Sequence, residues 1–113
     1  MTRNGRGKRR RFSVFLMNLD PTFGSEMKKT RPCVVVSPDE MNRHLSTVII
    51  APLTSTIRGY ASRVSCVFDN RSGEIALDQV RAVDKYRLIK IMGKIQDSES
   101  QQVLSVLQVM FAR

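Results

Sequence analysis

Between Phe12 and Ile95 the apolar runs are short, and each ends at a proline, a glycine, an asparagine, an aspartate or a serine cluster. Runs of this length, rich in branched and aromatic residues, fold as strands joined by tight connections, and many of them in succession give a curled antiparallel sheet. The pattern predicts strands over Phe12 to Leu19, Cys33 to Ser37, Thr47 to Leu53, Val64 to Phe68, around Ile75 to Leu77, and Ile89 to Ile95. Asp20-Pro21 ends the first, because proline fixes φ and has no N–H to continue a ladder. Thr22 to Thr30, with little apolar content, is expected to be an exposed loop. Asp69 to Gly73 supplies the turn of a hairpin, and Asp84 to Leu88 one helical turn. Ser37-Pro38-Asp39-Glu40 has the order of an N-cap serine, a proline at the first helical position and an acid that follows, so a short helix through Arg43 is expected.

Only the end of the chain has a sustained helical period. Val103, Val106, Leu107 and Met110 recur at helical spacing, Leu104 and Phe111 widen the stripe, and Gln101, Gln102, Ser105 and Gln108 face away. Asp97 or Ser98 is the expected cap. Such a stripe is core packing, and it predicts a lid over one open side of the sheet. The fold class is α+β, mainly β, a small barrel of antiparallel strands with a C-terminal helix. With 113 residues, 42% of them hydrophobic, the chain suffices for one core.

The formal net charge is +9, which favours polyanionic partners through phosphate contacts. Arg3, Arg6, Lys8, Arg9, Arg10 and Arg11 carry six of the nineteen basic residues; the thirteen others against ten acids leave +3. A like-charged run with Gly5 and Gly7 cannot bury apolar surface, so residues 1–11 are expected to form a disordered basic arm, with one domain over residues 12–113. The arm either grips RNA or simply solubilises the chain. Phe12 to Met17 is too short for the apolar segment of a signal peptide, and nothing approaches a membrane span, so a cytoplasmic location is expected. Cys33 and Cys66 sit inside apolar runs and suit buried thiols better than a disulfide. His44 is the sole histidine, so no Cys/His spacing for zinc exists, and the ten acids show no clustered Asp/Glu motif. No cofactor is expected.

Four stretches carry a family resemblance that extends from about Ser13 to Met110. Asn18-Leu19-Asp20-Pro21-Thr22 with Gly24-Ser25-Glu26, then Arg31-Pro32-Cys33-Val34-Val35-Val36-Ser37, resemble the first two strands of the MazF/PemK toxins. Asn42-Arg43-His44 leading to Val48-Ile49-Ile50-Ala51-Pro52-Leu53-Thr54-Ser55 resembles the third. Leu77-Asp78-Gln79-Val80-Arg81-Ala82-Val83-Asp84-Lys85, with Arg87-Leu88, resembles the stretch before the family's last strand. The order, the spacing and the terminal helix are those of the family. Phe12-Ser13 depart from it, since members usually open the first strand with glycine and an acid. Ser25 and Ala76 stand where some PemK-type members have a histidine and an arginine, which resembles the MazF branch more closely and weighs against Asp78 as a general base.

The resemblance implies an SH3-like barrel of the CcdB/PemK type and an endoribonuclease, the toxin of a toxin–antitoxin system, that cuts single-stranded RNA without a metal. Such cleavage needs a proton acceptor for the 2′-hydroxyl, a proton donor for the leaving oxygen, and positive charge or hydrogen-bond donors at the phosphoryl oxygens. The residues that match are Arg31 as the cation, a forked donor charged at every working pH, Thr54 as hydroxyl donor, and Glu26 as base. Lys28, Lys29 and Ser55 are the candidates for holding the RNA backbone, and Asp78 and Gln79 for positioning a base. The resemblance further implies a two-fold dimer and an acidic antitoxin partner. Two rivals remain: a nucleic-acid-binding barrel without catalysis, and a gyrase-inhibiting toxin of the same fold. The second lacks its tryptophan, because the chain has none.

Overall fold

A computed structural model describes residues 9–18 and 30–113. Its elements in chain order are β1 (Ser13–Asn18), β2 (Thr30–Val35), α1 (Asp39–His44), β3 (Thr47–Thr54), β4 (Arg63–Phe68), β5 (Arg71–Ala76), β6 (Arg81–Asp84), β7 (Leu88–Lys94) and α2 (Asp97–Met110). Single 3-10 turns at Leu77–Gln79 and Lys85–Arg87 flank β6. All described strand pairs are antiparallel, in the order β4-β5-β3-β2-β1-β7, with β6 beside the first half of β3. β3 thus pairs with β6 through Thr47 to Ile50 and with β5 through Leu53 and Thr54, so the sheet bends there and curls.

The middle strands are buried on both faces, which is why their sequences read as unbroken apolar runs. Val14, Val34, Val36 and Ala51 face one cluster with Val64, Ile75, Leu77, Ile95 and Val103. Phe15, Met17, Cys33, Val35, Val48 and Ile50 face the other, closed by Val83 and Leu88. α2 lies over the first cluster through Val103, Val106 and Leu107, as the helical stripe requires. The stripe ends sooner than its sequence suggests: Met110 and Phe111 are exposed, the latter by 73%. The expected mainly-β barrel with a helical lid is the architecture found.

Several local expectations are corrected. Ser37 does not cap α1; Pro38 holds that position. Instead the Ser37 hydroxyl donates to Asn42 Oδ1 and accepts the Ile49 N–H at 3.0 Å, tying α1 to β3. The cap of α2 is Gln96 rather than Asp97 or Ser98, in a capping box with Glu99. Glu99 also accepts the Val67 N–H at 3.0 Å and so locks α2 to β4. Only Asp69 and Asn70 form the β4–β5 turn, with φ of 54° and 63°, whereas Arg71, Ser72 and Gly73 already pair as β5.

The basic arm was expected to run free through residue 11. Residues 1–8 lie outside the described residues, but Arg9 to Arg11 are fastened to the body. The Asn42 side chain donates to the Arg9 carbonyl at 2.7 Å. Arg11 donates through its N–H to Asp39 (2.7 Å) and through Nε to the Val36 carbonyl (2.9 Å). Phe12, in the place where the family's glycine was expected, adopts φ of 72°. That conformation strains a bulky residue by roughly 1–3 kcal/mol. Its backbone donates to Val35 and accepts from Ile95, which holds it there.

Candidate active site

Pro32 restricts the residue before it to extended backbone, so Arg31 projects as a strand residue at the open end of β2. The β2–β3 register runs Val35 opposite Ile50, Val34 opposite Ala51 and Cys33 opposite Pro52. Continued two residues past its last bonded pair, the same register sets Arg31 opposite Thr54, and opposite residues of an antiparallel pair share a face. Both side chains line one cavity of about 480 Å³, together with Thr30, Ser55, Thr56 and the β4–β5 hairpin. The Arg31 guanidinium has no carboxylate partner among the described residues. Thr54 Oγ1 accepts the Thr56 N–H at 3.1 Å, the local turn bond common at strand ends. That bond leaves the hydroxyl proton of Thr54 available to donate into the cavity.

The approach of β5 to this strand end is close. A Cβ on Gly73 would stand 2.3 Å from the Thr54 carbonyl oxygen. The next residue, Glu74, is a buried carboxylate (3% exposed) that fastens the loop leaving the site. It accepts the N–H groups of Arg58 (3.1 Å) and Gly59 (2.9 Å) and a hydrogen bond from Arg63 (3.1 Å). Arg63 continues to Asp78 at 2.7 Å and lies 5.1 Å from the centroid of Tyr60. The segment 55–62 is therefore anchored at Arg58 and Gly59 by the Glu74 carboxylate, while its first residues, Ser55 and Thr56, line the cavity.

The N–H groups of Arg58 and Gly59 and then Arg63 hold the Glu74 carboxyl below its ordinary range, and Arg63 does the same for Asp78. A carboxylate with a depressed folded pKa contributes stability that is complete above its ordinary value, roughly 4, and that fades as pH falls through the folded value. The Arg63 shift is upward and concerns only strongly alkaline conditions. The thermal midpoint should therefore be level from neutrality to about pH 5 and fall below that. In Glu74→Gln it should start lower and fall less steeply. Parallel curves for the two proteins would show that Glu74 is not the titrating anchor.

Of the residues singled out from sequence, Arg31, Thr54 and Ser55 meet at the cavity. Glu26, Lys28 and Lys29 lie outside the described residues. Asp78 and Gln79 are not among the residues that line it: Asp78 is engaged by Arg63 and by the Ser62 hydroxyl (3.1 Å), and Gln79 sits exposed on a 3-10 turn. The cavity gains Phe68, Asp69, Arg71 and Met92, none of them foreseen as functional. Cys66 also lines it, but burial pushes its thiol up to about 12, as it does for Cys33. Both are buried thiols outside any disulfide, as expected. Among the described residues no three His, Cys, Asp or Glu side chains come together in a way that could hold a metal ion, and no helix is long and apolar enough to cross a membrane.

The family model for the PemK-like, MazF-like toxin of type II toxin–antitoxin systems matches residues 10–111. The chain belongs to that family. Against the endoribonuclease EndoA of Bacillus subtilis strain 168, this MazF-like chain is 30% identical over 109 residues, which span 91% of the chain and 94% of EndoA. Two solved structures share the MazF fold. One, an endoribonuclease in complex with its cognate antitoxin from a mycobacterial species, superposes with a TM-score of 0.75 at 21% identity, covering 88% of this chain and 91% of that one. The other, a MazE–MazF complex from Deinococcus radiodurans, gives 0.76 at 23% identity, covering 89% and 93%.

Proposed function

We propose that this chain is the toxin of a toxin–antitoxin pair, a sequence-specific endoribonuclease that cleaves single-stranded RNA without a metal ion. One observation carries the reading: Arg31 and Thr54 stand at the ends of adjacent strands and line one cavity, in which we propose that a single phosphate meets both. In the reaction the 2′-oxygen gives its proton to a base, bonds to phosphorus and displaces the 5′-oxygen, which takes up a proton. The products carry a 2′,3′-cyclic phosphate and a 5′-hydroxyl. The Arg31 guanidinium and the Thr54 hydroxyl donate to the phosphoryl oxygens as their charge grows, and Ser55 adds a donor beside them. Glu26 is the proposed base for the 2′-hydroxyl, and Lys28 and Lys29 are proposed to steer the RNA backbone. Dependence on the 2′-hydroxyl spares DNA.

The partner that restrains such a site is an acidic antitoxin segment, since a cavity that attracts a phosphate chain also attracts carboxylates. A homodimer acting in the cytoplasm completes the proposal. The test is incubation of the purified protein with a long single-stranded RNA in excess EDTA, followed by analysis of the new ends. Cyclic phosphate and 5′-hydroxyl termini are expected at a recurring short sequence. Intact RNA with the folded, inhibitor-free protein would overturn the reading, and cleavage only on addition of a divalent metal would overturn its metal-independent chemistry.

A further inference from the structure

The cavity has a second cationic wall that the chemistry above does not use. Phe68 and Arg71 form the last pair of the β4–β5 ladder, so both side chains project from the same face of the hairpin, and both line the cavity. The two-residue turn between them has positive φ at both positions, the geometry whose twist matches the flanking strands, so Arg71 stands on a well-defined element. Phe68 is held in turn by β7: a Cβ at Gly93 would lie 3.4 Å from Cε1 and Cζ of the ring, so the ring rests against strand backbone. Met92 extends the apolar wall. The Arg71 guanidinium, like that of Arg31, has no hydrogen-bond or ion-pair partner among the described residues.

Two guanidiniums without partners among the described residues line one cavity together with the apolar Phe68 and Met92, an arrangement that suits a repeat of phosphate, base and phosphate. We propose that Arg71 is a second phosphate anchor and that Phe68 and Met92 support the base of the nucleotide held between it and Arg31. This rests on the reading of the cavity as an RNA site and adds to it a nucleotide subsite next to the scissile phosphate. Arg71 binds the chain through its backbone, and Phe68 through a ring that any base can stack on, so the subsite supplies affinity and register.

The test uses binding, kept apart from cleavage. Affinity for a mixed-sequence 2′-O-methyl RNA oligonucleotide, which has no 2′-proton to lose, is measured by fluorescence anisotropy over a series of salt concentrations. Arg71→Ala should weaken binding roughly tenfold, the loss of a charge-assisted contact, and flatten the dependence of log Kd on log salt by about 0.7, the share of one single-strand phosphate. Arg43→Ala removes the same unit of charge from α1, outside the cavity lining, and serves as the reference for a general charge effect. Phe68→Leu keeps the core position filled and removes the aromatic face; it should weaken binding roughly threefold or more with the salt slope unchanged. If Arg71→Ala matches Arg43→Ala in affinity and slope, the anchor is overturned, and wild-type affinity in Phe68→Leu overturns the base support. Cleavage of unmodified RNA by the wild-type protein is scored separately, so its failure counts against the nuclease reading and leaves the anisotropy result to decide the subsite.

Discussion

Arg31→Ala is expected to slow RNA cleavage by roughly 10²–10³-fold, the usual cost of removing one donor from a charge-stabilising site. The loss should appear in single-turnover rates at saturating RNA, because the guanidinium is asked to bind growing charge on phosphorus rather than the resting substrate. Thermal stability should hardly change, since no carboxylate among the described residues depends on this side chain. Arg31→Lys keeps the charge and loses the fork, and should recover only part of the rate. A folded Arg31→Ala protein that cleaves at the wild-type rate would remove Arg31 from the reaction.

Gly73→Ala is expected to disturb stability and cleavage together. The added methyl would stand 2.3 Å from the Thr54 carbonyl oxygen and 3.5 Å from Ser55 Cα, so backbone must move. Overpacking against backbone costs roughly 1–3 kcal/mol, which in a domain of this size lowers the midpoint of thermal unfolding by several degrees. What moves is the end of β3, and Thr54 is displaced relative to Arg31, so activity should fall in excess of the unfolded fraction. Ser72→Ala, one residue earlier and exposed, distinguishes this steric effect from a general sensitivity of the hairpin. Unchanged melting and cleavage in Gly73→Ala would show that the close approach has slack.

Much of the fold was legible because burial on both faces leaves a direct mark on composition. β2 and β3 read as strands from Cys33-Val34-Val35 and Val48-Ile49-Ile50-Ala51, and the lid helix from the spacing of Val103, Val106 and Leu107. β6 was not anticipated, for the opposite reason: only Val83 of its four residues is buried, so no alternation shows. The bonds of polar side chains were not legible where their partners are remote in sequence. Ser37 has the look of a cap, yet its hydroxyl serves Ile49 twelve positions on. Asp78 sits inside a family motif, yet Arg63 takes it. The site followed the same division. Arg31, Thr54 and Ser55 came from motifs at strand ends, whereas Phe68 and Arg71 of the β4–β5 hairpin meet Met92 of β7 only through the closure of the sheet, which no local pattern encodes.

The register of β2 against β3 has a consequence for how such a protein can diversify. The bonded pairs that fix Arg31 against Thr54 lie among the most deeply buried residues of the molecule, while the segments that surround the cavity begin where burial ends. Substitutions at exposed positions of those outer segments, unlike one at Gly73, leave the bonded pairs of the two strands untouched. On the proposed function, a lineage can therefore acquire a new preference among RNA sequences by changing its rim, with the strand pairing behind Arg31 and Thr54 carried along from one member to the next.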